Sequence, residues 1–361
     1  MVNFDADYCY SFPAVRGIQA GRPFYIATCP MRIIPKIFSF DESDVPPELR
    51  AQRILNKSRI PEMVRYLLEN PKDYVFSALT ASIAVDVQFD EYPNSNNLGT
   101  LRVPMDAQIL INDGQHRRKA IEDALAERPE LGQDNIPVLF FVDEGLKRSQ
   151  QMFADLNKYA IRPSPSLSSL YDHRDSSSNL ARYLAMSIEP FSGLTELEKS
   201  SISTLSNKLF TLSSIKQATR ALLGKNPDKH DFEASTRIAT EYWQTIYRVM
   251  PDWQLAAKKE VSPAQLRQDY IHAHGIGLQA LGMLGYTLLT EYPDQWVNKT
   301  AELKAFDWRK SNPELIKRAM QHGKLSKTGT AIQLTCNALK NALSIPLTPE
   351  EQELESQMVV S

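Results

Sequence analysis

The sequence predicts an α+β fold, with a mixed strand-and-helix domain over residues 1–165 and a mainly α-helical domain over 166–361. A chain of 361 residues exceeds what one hydrophobic core usually supports, which favours two domains. Short apolar, β-branched segments broken by glycine and proline dominate the first part, as is typical of strands. Helical periodicity dominates the second part. Between them, "RPSPSLSSL" at 162–170 is rich in proline and serine and indicates a linker.

The elements of the first domain are predicted from their apolar runs. Strands are expected where these runs are short and rich in aromatic or β-branched residues, at 8–18, 23–31, 32–40, 74–79, 81–89, 100–104, 107–112 and 136–142. Helices are expected where apolar residues recur every three or four positions, at 46–70, 115–127 and 145–160. The order of strand, helix and strand around 115–127 indicates a β-α-β arrangement.

The second domain is predicted to be built from helices joined by Pro, Gly, Asp and Asn. Helical periodicity is found at 178–188, 203–223, 233–249, 263–290, 296–305, 312–321 and 328–344. The last residues, 349–361, are polar, and we expect them to fray.

Charge and composition exclude several classes of protein. The chain carries 41 Lys and Arg against 43 Asp and Glu, so nucleic-acid binding requires local basic patches. No long apolar run predicts a membrane helix, and the N-terminus lacks signal-peptide features, so we expect a cytoplasmic protein. The three cysteines, Cys9, Cys29 and Cys336, have neither disulfide nor zinc spacing. We predict no metal site.

The segment "ILINDGQHRRKAIEDAL", residues 109–125, places polar side chains where a strand becomes a helix. Free backbone N–H groups and the dipole at a helix N-terminus favour an anion. Gly114 would allow close approach of a ligand or a positive φ. Arg117 and Arg118 offer paired donors that suit phosphate oxygens, and Lys119 adds a third cation. The segment therefore predicts a phosphate-binding corner.

Two more residues of this corner have chemistry of their own. Asp113 could cap the helix, and His116 could donate, accept or bind a metal ion. A purely structural interpretation is also open, because Asp-Gly is an ordinary turn and Arg-Arg-Lys is often a solvated helix face. We favour the phosphate site because four polar side chains in a row directly follow the apolar strand "QILI", and α/β sites cluster where strands feed helices.

The stretch "NDGQHRRKAI" resembles the motif of the DGQHR-domain proteins. It is also similar to the G-x-x-R-R-x-x-A phosphate motif of ParB-like partition proteins through Gly114, Arg117, Arg118 and, one position early, Ala120. This resemblance implies a ParB/sulfiredoxin-like fold for the N-terminal domain.

Sulfiredoxin has a related G-C-H-R corner that holds a nucleotide phosphate. Here Gln115 stands at the position of its catalytic cysteine, which argues against thiol chemistry. The resemblance implies that Gln115 and His116 position the phosphate, while Asp113 and Gly114 shape the corner.

Four further segments resemble the DndB family of DGQHR proteins, at 150–175, 204–219, 273–285 and 306–315. The resemblance covers most of the chain. It implies a DNA-binding accessory and regulatory protein of DNA phosphorothioation, the modification that replaces a non-bridging phosphate oxygen by sulfur. Repression of transcription of the modification genes is part of that expectation. The implied partners are double-stranded DNA and other phosphorothioation proteins, in a restriction-modification system. The resemblance also implies a nucleoid-associated location, and a homo-oligomer is one further expectation.

Two other functions stay open. The corner could belong to a ParB-like nucleoside-triphosphate hydrolase or nuclease, in which Asp113 or His116 would bind a metal ion or activate water. ATP or CTP with Mg²⁺ would then be the cofactor, and no other cofactor is expected. Alternatively, the chain could be a protein–protein adaptor. The signatures of P-loop ATPases, zinc proteases, serine hydrolases and dinucleotide enzymes are missing from the sequence.

Three other regions contain candidate residues. Asn157 and Arg162 lie at the end of a predicted helix and could bind phosphate, or Asn157 could simply end the helix. Lys324 and Lys327 lie between predicted helices 312–321 and 328–340, an outline similar to a helix-turn-helix with DNA contact. The glycine-rich segment 273–285 predicts helices in close contact.

Overall fold

A computed structural model describes residues 8–38, 57–142, 146–158, 163–224, 231–321 and 323–360. The chain divides into two compact units, Met1–Ile161 and Arg162–Ser361. The described part of the chain contains no helix long and apolar enough to cross a membrane.

The first unit is built on a seven-stranded sheet with the order β4-β5-β1-β2-β7-β3-β6. Its strands are β1 (Cys9–Gln19), β2 (Arg22–Pro30), β3 (Leu79–Ile83), β4 (Gln88–Glu91), β5 (Leu98–Pro104), β6 (Ile109–Asp113) and β7 (Asn135–Val142). The helices of this unit are α1 (Ile34–Ile37), α2 (Ile60–Glu69), α3 (Gln115–Glu127) and α4 (Leu146–Lys158). The predicted mixture of strands and helices is confirmed.

The apolar core of the first unit lies between the sheet and its helices. Burial alternates along β5, where Gly99, Leu101 and Val103 are buried and the residues between them are partly exposed. This period of two is typical of a strand with one face in the core. Ala120 and Ile121 of α3 belong to the same buried cluster, so the sheet fixes the position of the helix that carries the corner.

The predicted β-α-β order along the chain is confirmed, and the sheet arranges these strands without a parallel crossover. β6 and β7 flank α3 along the chain, but β3 lies between them in the sheet. β3 pairs antiparallel with β6 and parallel with β7, so β6 and β7 run in opposite directions. The crossover through α3 therefore does not join two parallel strands.

Three segments of the first unit differ from the prediction. Residues 34–37 of the predicted strand 32–40 form α1, because Pro35 stands at a first-turn position, where its fixed φ suits a helix, and residues 39–40 lie outside the described part of the chain. Residues 74–78 are irregular, and the strand begins only at Leu79. The predicted helix 46–70 is confirmed at Ile60–Glu69, and its part before residue 57 lies outside the described residues.

The second unit is mainly helical within its described residues. Its helices are α5 (Pro165–Tyr171), α6 (Ser176–Ser187), α7 (Leu212–Leu223), α8 (Phe232–Val249), α9 (Pro251–Ala257), α10 (Pro263–Asp269), α11 (Gly275–Glu291), α12 (Trp296–Ala301), α13 (Gly329–Ala342) and α14 (Pro349–Val360). Two short pairs of strands accompany them, β8 (Thr195–Glu196) with β9 (Phe210–Thr211), and β10 (Met320–Gln321) with β11 (Lys324–Leu325).

The core of the second unit is centred on α7, α8 and α11. Trp243 and Trp253 are fully buried in it. The predicted close contact of the glycine-rich helix is confirmed: an ideal Cβ built on Gly282 of α11 would collide with the backbone oxygen of Ala218 on α7. Gly285 lies equally close to Leu222 and Tyr242, with an ideal Cβ 2.5 Å from each. These glycines let the two helices approach.

Several predicted helix boundaries in this unit are wrong for identifiable reasons. The predicted helix 203–223 begins at Leu212, since Thr211 and Ser214 form a reciprocal cap there. The predicted helix 263–290 is interrupted between α10 and α11. The C-terminal residues form α14 instead of fraying, because the Glu351 N–H donates to Thr348 Oγ1 while Glu351 accepts from the Thr348 N–H.

His274 makes the stability of the second unit depend on pH. Burial and the charge of Lys310 lower the pKa of His274 from 6.5 to about 4, and its Nε2 lies 2.6 Å from the Arg267 carbonyl oxygen. Because the folded pKa lies below the unfolded pKa, this stability is present above pH 6.5 and is lost as the pH falls towards 4. We expect His274 to account for a loss of about 2 kcal/mol in the free energy of unfolding over that range.

Urea unfolding at pH 7 and pH 4.5 measures this effect. His274→Gln keeps a donor for the Arg267 carbonyl but does not titrate. We expect the variant to lose less stability than the wild-type chain between the two pH values. An equal loss in both chains would contradict the assignment of this proton to His274.

Candidate phosphate-binding site

The corner begins where β6 ends and α3 starts, at a glycine in the left-handed region. Gly114 is the N-cap residue of α3, with φ +110° and ψ 14°. An ideal Cβ at this position would collide with Leu79 Cδ2. Both the backbone angle and the space therefore require glycine. Of the two roles predicted for Gly114, a positive φ or close approach of a ligand, the positive φ is confirmed.

The two polar side chains on either side of the turn are buried and hold the backbone in place. Asn112 is fully buried and accepts from Ser82 Oγ at 2.6 Å. Gln115, only 6 % exposed, donates through Nε2 to the Ile111 carbonyl oxygen at 3.1 Å. Gln115 thus ties the first turn of α3 back to β6. In this conformation the amide group of Gln115 stabilises the turn between β6 and α3.

Arg117 connects α3 by hydrogen bonds to the segment that precedes β3. Its Nη1 donates to Ser77 Oγ at 2.6 Å, and its Nη2 donates to the Ala78 carbonyl oxygen at 3.1 Å. Nη2 also donates to Asp113 Oδ2 at 2.7 Å. The predicted helix cap by Asp113 is therefore wrong, because its carboxylate pairs with Arg117 and α3 has no side-chain cap among the described residues.

Arg118 and Lys119 share a carboxylate one turn further along α3. Arg118 is 9 % exposed, and its guanidinium donates to Glu122 Oε2 at 2.8 Å and to the Pro35 carbonyl oxygen at 2.9 Å. Lys119 Nζ lies 2.9 Å from both Glu122 Oε2 and Asp123 Oδ1.

These contacts set the protonation states of the helix. Burial alone would raise the pKa of Glu122, but the hydrogen bond from Lys119 and the charge of Arg118 outweigh it and lower the pKa. The hydrogen bonds to Asp123 and Glu122 raise the pKa of Lys119. Glu122 is therefore ionised and Lys119 cationic at neutral pH.

The solvent-accessible part of the corner is small and mixed in charge. The side chains of Asp113 and Lys119 are 46 % and 37 % exposed, and that of Arg117 is 19 % exposed. His116 is half-buried. A phosphate group arriving at the N-terminus of α3 would meet backbone N–H groups and Arg117, and it would displace the Asp113 carboxylate from that arginine. The described residues contain no group of three or more His, Cys, Asp or Glu placed to hold a metal ion.

The other predicted site residues lie outside the corner. Asn157 lies on α4, but its side chain is outside the described part of the structure, as is the whole of Arg162. Lys324 lies on β11 and Lys327 follows it, and both are exposed. The helix-turn-helix outline is wrong: α13 forms, but 312–321 consists of turns and β10, with Lys317 at φ +68°.

Sequence reasoning missed two features of the first unit. The partners Ser77, Ala78 and Pro35 of the arginines lie far from the motif along the chain. The carboxylates Asp113 and Glu122 each lie four residues from their arginine, a spacing that indicates an ion pair. A cleft of about 400 Å³ between the β1–β2 turn and α4 was also missed; its lining includes Phe141, Met152 and Leu156.

One comparison with known proteins places the chain in a family. The model of the DndB family, described as DNA-sulfur modification-associated, matches residues 12–346. This chain belongs to the DndB family. A search of curated proteins and a search of solved structures found no match. The predicted resemblance to DndB is confirmed, and the matched region of the DndB family includes the whole corner together with α13.

Proposed function

We propose that this chain is a DNA-binding accessory of a DNA phosphorothioation system and that it represses transcription of the modification genes. The family match over residues 12–346 carries this proposal, because the family is associated with DNA-sulfur modification. Double-stranded DNA is the proposed partner, together with other proteins of the system and a second copy of this chain. A ParB-like arrangement of the first unit and a nucleoid location belong to the same proposal.

The corner supports the proposal through the position of Arg117. An ideal Cβ on Gly114 would lie 3.1 Å from Arg117 Nη2, so the guanidinium packs over the glycine at the N-terminus of α3. Backbone N–H groups, the positive end of the helix dipole and an arginine then converge where a DNA phosphate could bind. Such contacts position a protein on DNA without reading its sequence.

We expect Arg117→Ala to weaken binding of a 20-base-pair duplex about tenfold at 100 mM salt, and to make the salt dependence of binding shallower by about one phosphate contact. Fluorescence anisotropy over a salt series measures both quantities. Arg128→Ala is the matched control, since Arg128 follows the other end of α3 and also donates to a backbone carbonyl, that of Leu68, at 3.1 Å.

Two results would decide against DNA contact at this corner. Turnover of labelled ATP or CTP with Mg²⁺, lost in Arg117→Ala and retained in Arg128→Ala, would favour the nucleoside-triphosphate hydrolase. Unchanged DNA affinity in Arg117→Ala, without turnover in the wild-type chain, would favour the adaptor or a DNA contact elsewhere.

A further inference from the structure

The C-terminal helix α14 is acidic on the side that meets the rest of the second unit. Four of its twelve residues are glutamates, at 350, 351, 353 and 355. Two of these, Glu351 and Glu355, point into the fold and pair with cations, while Glu350 and Glu353 are exposed. The helix thus presents carboxylates to a basic part of its own unit.

Glu351 covers a buried lysine of α13. Lys340 Nζ lies 2.7 Å from Glu351 Oε1, with the lysine side chain 6 % exposed and the glutamate side chain 13 % exposed. Gln333 of α13 donates to the same oxygen at 3.0 Å. A lysine at this position would meet solvent if α14 moved away.

Glu355 covers an arginine in the same way. Both of its oxygens accept from the Arg318 guanidinium, Oε2 from Nη2 at 2.7 Å and Oε1 from Nε at 3.3 Å. The side chains of Arg318 and Glu355 are 12 % and 17 % exposed. A planar, two-point contact of arginine with two oxygens is also the geometry with which arginine binds phosphate.

Ion pairs are the best-defined contacts on the inward face of α14, which also carries the half-buried Leu354 and Met358. Among its described side chains, 349–358, none belongs to a buried apolar cluster of the unit. Because both pairs are largely buried, dissolved salt screens them only weakly. A phosphate group could nevertheless offer Lys340 and Arg318 the same kind of oxygen acceptors as the two glutamates.

Exposed lysines extend the covered basic surface. Lys317, Lys324 and Lys327 are exposed and have no ion pair with any described residue. The Ser326 N–H donates to the Ala319 carbonyl oxygen at 2.9 Å, so the backbone just before Lys327 is bonded to the backbone just after Arg318. Release of α14 would add Arg318 and Lys340 to these lysines, with Glu314 Oε2 remaining 3.4 Å from the Arg318 guanidinium.

We propose that α14 is a built-in competitor of nucleic-acid phosphate. Glu351 and Glu355 occupy Lys340 and Arg318 in the free protein, and backbone phosphates of duplex DNA take their place when DNA binds. The surface on α13 and the β10–β11 hairpin is then a second DNA contact, and α14 sets its affinity. The inference relies on the proposed function only in its choice of DNA as the polyanion.

The test compares two double variants of the full chain. We expect Glu351→Gln with Glu355→Gln to bind a 20-base-pair duplex about tenfold more tightly at 100 mM salt than the wild-type chain, with a salt dependence steeper by about two phosphate contacts. Glu350→Gln with Glu353→Gln changes net charge equally on exposed positions of α14, and only a small gain is expected. Equal affinities for the two variants would overturn the inference.

Hydrogen exchange on the unmodified chain provides a test that does not depend on whether the variants fold. Amides of 349–360 should exchange faster when the duplex is added, and unchanged or slower exchange would overturn the inference. Arg117→Ala separates the two proposals. If Arg117→Ala abolishes DNA binding, and exchange in α14 of the unmodified chain does not change with DNA, the phosphate site at α3 is supported and the role of α14 is overturned. If Arg117→Ala leaves DNA binding unchanged, and α14 of the unmodified chain exchanges faster with DNA, the role of α14 is supported and the phosphate site at α3 is overturned.

Discussion

Gly282→Ala is expected to lower the melting temperature of the second unit by roughly 6–12 °C, which corresponds to about 3 kcal/mol. Gly282 lies on α11, where α11 packs against α7. The new methyl group would overlap the backbone oxygen of Ala218, which cannot rotate away as a side chain can. The two helices would have to separate, and the surrounding core would lose packing. Calorimetry of the full chain measures the shift.

Gly329→Ala is the matched control. Gly329 is the first residue of α13, and an ideal Cβ there has nothing within 4 Å. Because alanine restricts the unfolded chain more than glycine, we expect no loss, or a gain of about 0.5 kcal/mol. Equal melting temperatures for Gly282→Ala and Gly329→Ala would show that the contact of α11 with α7 is looser than described.

Arg267→Ala is expected to cost about 4 kcal/mol, because the arginine organises a loop that lacks regular structure. Its guanidinium donates to the carbonyl oxygens of residues 203, 204, 206 and 208, and it is 8 % exposed. Burial lowers the pKa of Arg267, and its guanidinium is surrounded by neutral carbonyl oxygens. Without the guanidinium, four carbonyl groups would need new partners.

Proteolysis and denaturant unfolding together test this role. We expect Arg267→Ala to become sensitive to cleavage within 203–208 and to unfold at lower urea, while Arg220→Ala, at an exposed position of α7, stays close to the wild-type chain. A variant that remains protected at 203–208 and retains its stability would contradict the role assigned to Arg267.

The parts of the fold that sequence reasoning predicted are those set by local chemistry. Gly114 is an example, since the change from an apolar strand to a helix indicates a turn with a positive φ. The close approach at Gly282 was likewise indicated by its glycine-rich helix. The roles of Arg117 and Arg118 could not be predicted, because their partners Ser77 and Pro35 lie 40 and 83 residues away.

The errors have the same physical origin. The segment 312–321 has the composition of a helix, but the Asn312 side chain bonds the Asp307 carbonyl and Lys317 adopts a left-handed conformation. The C-terminal segment has the composition of a frayed end, but Lys340 and Arg318 hold it as a helix. In both places specific side-chain contacts overrode local preference, over five residues at Asn312 and over 11 and 37 residues at Lys340 and Arg318.

The central claim is that the corner at the N-terminus of α3 binds a phosphate of the DNA backbone. A crystal structure of the full chain with a short duplex tests it most directly. The account predicts a phosphate within hydrogen-bond distance of the backbone N–H groups of the first turn of α3, with Arg117 turned from Asp113 towards it. Bound DNA that leaves this turn in contact with solvent, with the Arg117–Asp113 pair intact, would contradict the claim.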